Sequence, residues 1–216
     1  MKTIITSLLL SLALSTFGQV VIPSCDTIDL PNIADQEKKS RVANGQYKKC
    51  IENNLIQIGT YKDGVLDGPF IEYFQNKCSD EECHHSQDSH IFKEIGDYLN
   101  GQKDGEWNTT GNFEKIISNY KDGKLNGEYT VYSAEVARKF DADWIINIHS
   151  RESISLQGYY LNGLKSGRWF YDEGEIQKIA HYKKGILNGE YHTYMCCDSS
   201  DQIEKGVYKN GKKEGA

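Results

Sequence analysis

The feature that most constrains this chain is a short pattern of aromatic residues and glycines that recurs along it. Each copy consists of an aromatic residue, two residues, Gly, three residues, Gly, one residue and a second aromatic. Self-similarity of this kind is the signature of a repeat architecture. We number the copies 1 to 6. They are Tyr61-Gly64-Gly68-Phe70, Tyr98-Gly101-Gly105-Trp107, Tyr120-Gly123-Gly127-Tyr129, Tyr160-Gly163-Gly167-Trp169, Tyr182-Gly185-Gly189-Tyr191 and the incomplete Tyr208-Gly211-Gly215.

The glycine spacing predicts that each copy is a β-hairpin. The first glycine follows Asp or Asn in five copies, for example in Asp63-Gly64 and Asn100-Gly101. These dipeptides form tight hairpin turns because they readily adopt positive φ. The composition agrees, since 20 Gly, 14 Tyr and a mean hydropathy of −0.62 favour a thin, turn-rich β structure. We therefore predict an all-β fold in which successive hairpins pair into a continuous meander.

Stacking of equivalent residues would place the aromatic side chains in rows. We expect the six repeat tyrosines to form one row along the sheet, and the second aromatics to form another. Such cross-strand neighbours contribute roughly 0.2–1 kcal/mol each. A sugar-binding platform is the functional alternative, but packing is favoured because every repeat uses the same positions. The second row would contain Phe70, Trp107, Tyr129, Trp169 and Tyr191.

The unit Tyr-x-x-Gly-x-x-x-Gly-x-aromatic resembles the MORN repeat, in the bacterial variant labelled as YwqK-family antitoxin repeats. The resemblance covers roughly residues 55–216. It implies stacked hairpins in a single elongated, curved sheet. It also implies scaffolding, membrane-proximal positioning or toxin neutralisation, and it brings no catalytic residues.

The spacing between the repeat tyrosines predicts which side of the sheet varies. Two long insertions, at about 75–90 and 133–151, fall in the turn after the second strand of a repeat. We name that side the variable-loop edge, and the side that holds the first glycines the glycine-turn edge. Because loops on a rigid scaffold often carry binding, we expect a partner protein to bind the variable-loop edge. In the second insertion, Ser133, Val136 and Phe140 predict a short helix.

The cysteines allow two interpretations. The first insertion places Cys78, Cys83, His84, His85 and His90 close together, which is a reasonable set of metal ligands. The spacing matches no defined zinc motif, so a Cys78–Cys83 disulfide or a solvated loop is favoured over a metal site. Two further cysteines bracket the N-terminal segment, residues 19–54, and form a candidate disulfide pair, although the sequence alone does not determine the connectivity. They are Cys25 and Cys50.

The first 18 residues have the organisation of a secretory signal peptide. Lys2 is followed by an apolar stretch from Ile4 to Leu14, and small residues precede a cleavage position after Gly18. The apolar run is shorter than the roughly 20 residues of a membrane span. The sequence therefore predicts a secreted or periplasmic protein.

Charge and motif content restrict the function. A net charge of −6 argues against a non-specific nucleic-acid binder. The sequence lacks the common motifs for hydrolases, zinc proteases, phosphate-binding loops and EF-hands. We expect a non-catalytic scaffold without a cofactor that binds a partner protein, in the manner of an antitoxin or immunity protein. The alternatives are an envelope protein that contacts lipid or polysaccharide, and a metal-dependent hydrolase centred on residues 78–90.

Overall fold

The protein is a single open β-sheet. A computed structural model describes residues 20–34, 44–52, 54–76, 90–111, 114–133, 154–195 and 202–215. Within these ranges thirteen antiparallel strands follow one another in chain order, so the predicted all-β meander is confirmed. A short 3-10 helix, Cys25–Thr27, precedes them. The strands are β1 (Gly45–Ile51), β2 (Asn54–Lys62), β3 (Val65–Asn76), β4 (His90–Leu99), β5 (Gln102–Thr110), β6 (Glu114–Lys121), β7 (Lys124–Ser133), β8 (Ile154–Leu161), β9 (Leu164–Asp172), β10 (Ile176–Lys183), β11 (Ile186–Met195), β12 (Gln202–Lys209) and β13 (Lys212–Glu214).

The repeat glycines close the hairpins as the sequence predicts. At the β2–β3 turn, Asp63 has φ 52° and Gly64 has φ 86°, which is the left-handed geometry of a two-residue hairpin turn. Repeat 5 keeps this geometry with Lys184 at φ 53° in the position that Asp or Asn holds elsewhere. The turn conformation is therefore imposed by the repeat even where the residue is less suited to it.

Hydrogen bonds join each glycine turn to the next one. In repeats 2 to 6, the backbone N–H of the first glycine donates a hydrogen bond to the preceding repeat. The acceptor is the carbonyl of the residue two positions after the first glycine of that preceding repeat. The chain of contacts ties the glycine-turn edge together from repeat 1 to repeat 6. The pairs are Gly101 to Leu66 (2.7 Å), Gly123 to Lys103 (3.0 Å), Gly163 to Leu125 (2.7 Å), Gly185 to Lys165 (2.8 Å) and Gly211 to Leu187 (2.8 Å).

The sheet begins earlier than the predicted boundary at residue 55. Strand β1 pairs with β2 throughout, and Gly45 lies opposite Tyr61 in that pairing. The same geometry places Gly68 opposite Tyr98 one hairpin later. The segment Gly45-Gln46-Tyr47 is thus the second half of a repeat, and the array extends into the N-terminal segment.

The rest of the N-terminal segment covers one face of the first strands. The structure joins Cys25 and Cys50 in a disulfide, as predicted. The Lys48 ammonium, at Nζ, donates to the carbonyls of Cys25 and Ile28, at 2.9 and 2.7 Å. Apolar side chains of the segment pack on the aliphatic side chains of β2, β3 and β4, and so form the main core cluster. Its buried members are Val20, Leu55, Ile58, Ile71 and Tyr73.

Candidate functional site on the aromatic face and the two edges

The long connections between the described strands begin and end at the variable-loop edge. Strands β3 and β4 are joined by residues 77–89, β7 and β8 by 134–153, and β11 and β12 by 196–201. The other connections at this edge are short, such as the turn at 173–175 in which Glu173 N donates to Ile176 O at 2.9 Å. The strand order therefore confirms that the insertions share one edge.

Several predicted features lie outside the described residues. They are the signal peptide over residues 1–18, the part of the predicted short helix at 134–140, and the side chains of Cys78, Cys83, His84, His85 and His90. Ser133, the predicted start of that helix, is the last residue of strand β7. Strand β4 begins at the backbone of His90. Among the residues that the structure does describe, no group of three or more His, Cys, Asp or Glu could hold a metal ion.

The two edges of the sheet differ in charge. The five-residue windows that begin one residue after each repeat tyrosine contain ten lysines and two aspartates, a net of +8. Because the whole chain carries −6, the remaining residues carry a net of −14. The glycine-turn edge is therefore a basic border on an acidic protein. The windows are 62–66, 99–103, 121–125, 161–165, 183–187 and 209–213.

The second aromatics of the repeats stand between small residues on one face, which we name the aromatic face. Tyr129 pairs with Ser118 on one side and Gly158 on the other, and the neighbouring strands repeat this alternation. Each small residue lies two positions before a repeat tyrosine. This position belongs to the repeat, although the sequence pattern described above omits it. Its occupants are Gly59, Gly96, Ser118, Gly158, Ala180 and Gly206.

The repeat tyrosines fill the complementary positions of the same face. Each lies opposite the second glycine of a repeat, for example Tyr120 opposite Gly105. The rings of the two sets therefore meet diagonally and edge to face, with centroids 5.2 Å apart for Tyr98 and Trp107 and 4.9 Å for Tyr160 and Trp169. The register contains the two expected rows, because the tyrosines lie opposite second glycines and the second aromatics lie opposite the small residues. The glycines also leave room for the rings of one row to contact those of the other, so the two rows interlock in one layer.

Trp107 and Trp169 are the most deeply buried members of this layer. Both are 0% exposed. A Cβ atom on Gly96 would lie 2.3 Å from the Trp107 ring, and one on Gly158 would lie 2.2 Å from the Trp169 ring. Only glycine therefore fits beneath either indole. Neither indole N–H has an acceptor within the described part of the chain.

A lysine covers each tryptophan. Lys103 Nζ lies 4.0 Å from the centroid of the Trp107 ring, and Lys165 Nζ lies 4.4 Å from that of Trp169. Cation–π contacts of this kind contribute about 0.5–1 kcal/mol at exposed sites and more when desolvated. Lys103 also forms an ion pair with Glu94 at 2.7 Å, with both side chains largely shielded.

Burial perturbs several titratable groups of the aromatic face. Burial, followed by the nearby charge of Glu94, raises the pKa of Glu72. Burial, together with the neighbouring phenol of Tyr171, raises the pKa of Tyr182 to about 12. Both groups therefore favour their neutral, hydrogen-bonding form more strongly than they do in water.

Comparison with known proteins adds no relative from which a role could be transferred. No family model matches the sequence, and a search of the curated proteins finds no match. The resemblance to MORN repeats therefore stays a prediction. Among the described residues, no helix is long and apolar enough to cross a membrane.

Proposed function

We propose that this chain is an exported, non-catalytic repeat scaffold that binds a partner protein through its variable-loop edge. The observation that carries this proposal is the asymmetry of the sheet. Hydrogen bonds from turn to turn hold the glycine-turn edge at constant length, whereas residues 77–89, 134–153 and 196–201 all extend the opposite edge. Loops that vary on a constant framework are where binding residues concentrate.

Export is supported by two independent features. The first residues have the organisation of a signal peptide, from Lys2 to Gly18. The Cys25–Cys50 disulfide suits an oxidising compartment, where such bonds form and persist. Mass spectrometry of the protein recovered from outside the cytoplasm should give an N-terminus at Gln19. An N-terminus at Met1 in that fraction would contradict processing at Gly18.

The resemblance to antitoxin-like repeats suggests what kind of partner is bound. A toxin-neutralising protein needs a rigid framework and a specific contact surface but no chemistry of its own. The acidic remainder of the chain, with a net of −14 outside the glycine-turn windows, suits a basic partner surface. We therefore propose an exported basic protein, such as a secreted toxin, as the partner.

The test changes one edge of the sheet at a time. In the first variant, residues 77–89 are replaced by the four residues Asp172-Glu173-Gly174-Glu175, which form a short turn at the same edge. In the matched control, Lys183, Lys184 and Lys212 on the glycine-turn edge become Gln. Each mature protein is used to capture exported proteins from its own organism, and captured species are purified and measured by calorimetry.

We expect one purified partner that binds the wild-type protein and the lysine control with similar affinity. Shortening the loop should weaken that complex at least about tenfold, which corresponds to about 1.4 kcal/mol. Equal binding by the loop variant, with loss in the lysine control, would reject the variable-loop edge as the contact surface.

Contact with lipid or polysaccharide at the cell envelope is the second candidate. The observation that favours it is the combination of lysines with exposed aliphatic side chains at the glycine-turn edge. Leu161, Leu164 and Ile186 are 51%, 48% and 52% exposed there. The aromatic face is less suited to stacking sugars, because Trp107 and Trp169 are fully covered. Co-sedimentation with liposomes and with glycans should detect this candidate, and the lysine control should abolish it.

A further inference from the structure

Three repeats place a lysine at the same position of the hairpin, two residues after the first glycine. Repeats 1, 3 and 5 have leucine at that position, so leucine and lysine alternate along the glycine-turn edge. The array is therefore built from pairs of hairpins, and the lysine hairpins can be compared directly. The alternating residues are Leu66, Lys103, Leu125, Lys165, Leu187 and Lys213.

Two of the three lysines bind a carboxylate within the chain. Lys103 pairs with Glu94 and Lys213 pairs with Glu204, each at 2.7 Å. Both glutamates lie four residues before the tyrosine of their own repeat. The ion pair is thus a regular feature of the lysine hairpin, and it shows which group the ammonium is placed to hold.

Repeat 4 has the lysine but lacks the carboxylate. Leu156 occupies the position four residues before Tyr160. In the part of the chain that the structure describes, no carboxylate oxygen lies within 4 Å of Lys165 Nζ. The ammonium instead lies among three rings, those of Trp169, Tyr171 and Tyr182, with distances to the ring centroids of 4.4, 5.0 and 5.4 Å.

The hydrogen bonds around Lys165 leave donors for a ligand. Lys165 Nζ donates to the Tyr171 hydroxyl at 2.9 Å, and this hydroxyl donates to that of Tyr182 at 3.1 Å. An ammonium has three N–H donors, and a phenol that accepts a bond retains its own proton to donate. The site therefore offers two N–H donors of Lys165 and the O–H of Tyr182. Because the pKa of Tyr182 is raised to about 12, its hydroxyl stays protonated at neutral pH.

The surrounding charge also favours an anion. The glycine-turn windows of repeats 4 to 6, namely 161–165, 183–187 and 209–213, contain six lysines and no acidic residue. The Lys165 site lies within this basic half of the edge. A ligand carboxylate would meet an ammonium that has no carboxylate partner among the described residues, and a positive surface that attracts it.

We propose that Lys165 and Tyr182 form a binding site for an oxyanion, and specifically for a carboxylate supplied by another molecule. The ligand takes the place that Glu94 and Glu204 fill in repeats 2 and 6, and one of its oxygens receives hydrogen bonds from Lys165 Nζ. The carboxylate is favoured over phosphate because the two equivalent lysines already hold a single carboxylate. The site lies on the aromatic face and does not depend on a partner at the variable-loop edge.

The test uses acetate as the carboxylate and inorganic phosphate as the competing oxyanion. The full mature chain is titrated with each sodium salt at constant ionic strength, with chloride as the reference. NMR of the indole N–H groups reports on the two sites, since Trp169 lies beside Lys165 and Trp107 lies beside the paired Lys103. We expect acetate to shift the Trp169 signal with half-saturation on the order of 10 mM, an affinity in the range of charge-assisted hydrogen bonds at a partly shielded site. Trp107 should not respond.

Two variants exchange the properties of the sites. Leu156→Glu supplies the missing carboxylate and should weaken acetate binding at Trp169 at least tenfold. Glu94→Leu removes the internal carboxylate of repeat 2 and should make Trp107 respond to acetate. Lys165→Met removes the cation without adding a charge, and it provides the same test should Leu156→Glu fail to fold.

The outcomes separate clearly. Saturable acetate binding at Trp169 that disappears in Lys165→Met supports the site, whether or not phosphate also binds. Binding of phosphate without acetate overturns the carboxylate assignment. Equal responses at Trp107 and Trp169 in the wild type, or a response that persists in Lys165→Met, overturn the site itself.

Discussion

Trp107 and Trp169 occupy equivalent places in repeats 2 and 4, yet the lysines that cover them have different partners. Each indole is fully buried, lies on a glycine and is covered by a lysine. Lys103 forms an ion pair with Glu94, whereas the Lys165 ammonium has no ion pair among the described residues and lies against rings and the Tyr171 hydroxyl. The shared part is the packing that the repeat requires. The ammonium of Lys165 is available to bind a ligand, and for this reason we assign the ligand site to repeat 4.

The strongest test of this equivalence removes each indole. Trp107→Ala and Trp169→Ala should each lower the free energy of unfolding by about 3–5 kcal/mol, the usual cost of deleting a buried aromatic side chain. The two values should agree within about 1 kcal/mol, because both rings are fully buried and lie on a glycine, and Trp169 has one additional ring contact, with Tyr171. Chemical denaturation followed by circular dichroism measures both.

Phenylalanine variants provide the control for the ring itself. Trp107→Phe and Trp169→Phe keep an aromatic ring and remove an indole N–H that has no acceptor among the described residues. They should cost clearly less than the alanine variants, since an unsatisfied buried donor itself costs about 1–3 kcal/mol. A large loss at one site and a negligible loss at the other would break the proposed equivalence.

The next effect comes from the glycines beneath the two rings. Gly96→Ala and Gly158→Ala each place a Cβ atom within 2.3 Å of an indole. Neither glycine has positive φ, so the cost arises from overpacking alone, about 1–3 kcal/mol. Thermal denaturation should show the loss.

A double-mutant cycle identifies the cause. Combining Gly96→Ala with Trp107→Phe should recover part of the loss, because the smaller ring can move away from the new methyl group. Gly158→Ala with Trp169→Phe should behave in the same way. Strict additivity in both cycles would show that the glycines matter for a reason other than contact with the rings.

The hairpins and their edges could be predicted because the determinants are local. An Asp-Gly pair such as Asp63-Gly64 fixes a turn through its own backbone preference, and the residue count between turns then fixes which edge lengthens. Cys25 and Cys50 were a candidate pair because they bracket the N-terminal segment, and the structure joins them. None of these inferences needed knowledge of side-chain packing.

The interlocked rings could not be predicted from the pattern as first described, because packing across strands depends on register. The small residue two positions before each tyrosine, such as Gly96, is visible in the sequence but gains meaning only when a ring lies on it. Strand β1 was missed because Gly45-Gln46-Tyr47 is half a repeat. The difference between Lys103 and Lys165 was missed because Glu94 and Leu156 become neighbours of those lysines only through strand pairing.

A smaller effect is expected from the ion pair that distinguishes the two sites. Glu94→Gln should cost up to about 1 kcal/mol of stability at pH 7, since the Lys103 and Glu94 side chains, although largely shielded, remain 23% and 15% exposed to water. The control is Leu156→Gln, which changes the equivalent position in repeat 4 without breaking an ion pair. An equal loss in both variants would show that the carboxylate of Glu94 contributes nothing specific.

The same variant has a second readout in the pKa of Glu72. Burial is the main cause that raises this pKa, and the negative charge of Glu94 adds to it. Glu94→Gln should therefore lower the pKa of Glu72, which NMR of the side-chain carbon can follow. With its folded pKa raised, Glu72 stabilises the fold most below the ordinary glutamate pKa of 4.5, and that contribution is lost as the pH rises through the folded pKa. In the variant this loss should be smaller.

The smallest effect sharpens the comparison in repeat 4 and is spectroscopic. Because the pKa of Tyr182 is raised to about 12 whereas an unfolded tyrosine titrates near 10, the folded state holds its proton longer. Between these two values the folded state binds more protons than the unfolded state, so stability falls as the pH rises through this window. Ultraviolet difference titration should show that the late-ionising part of the tyrosine signal loses one phenol in Tyr182→Phe, with Tyr159→Phe as a control at an exposed tyrosine. If Tyr182→Phe leaves the late phase intact, the phenol beside Lys165 is not the shielded donor that the ligand site requires.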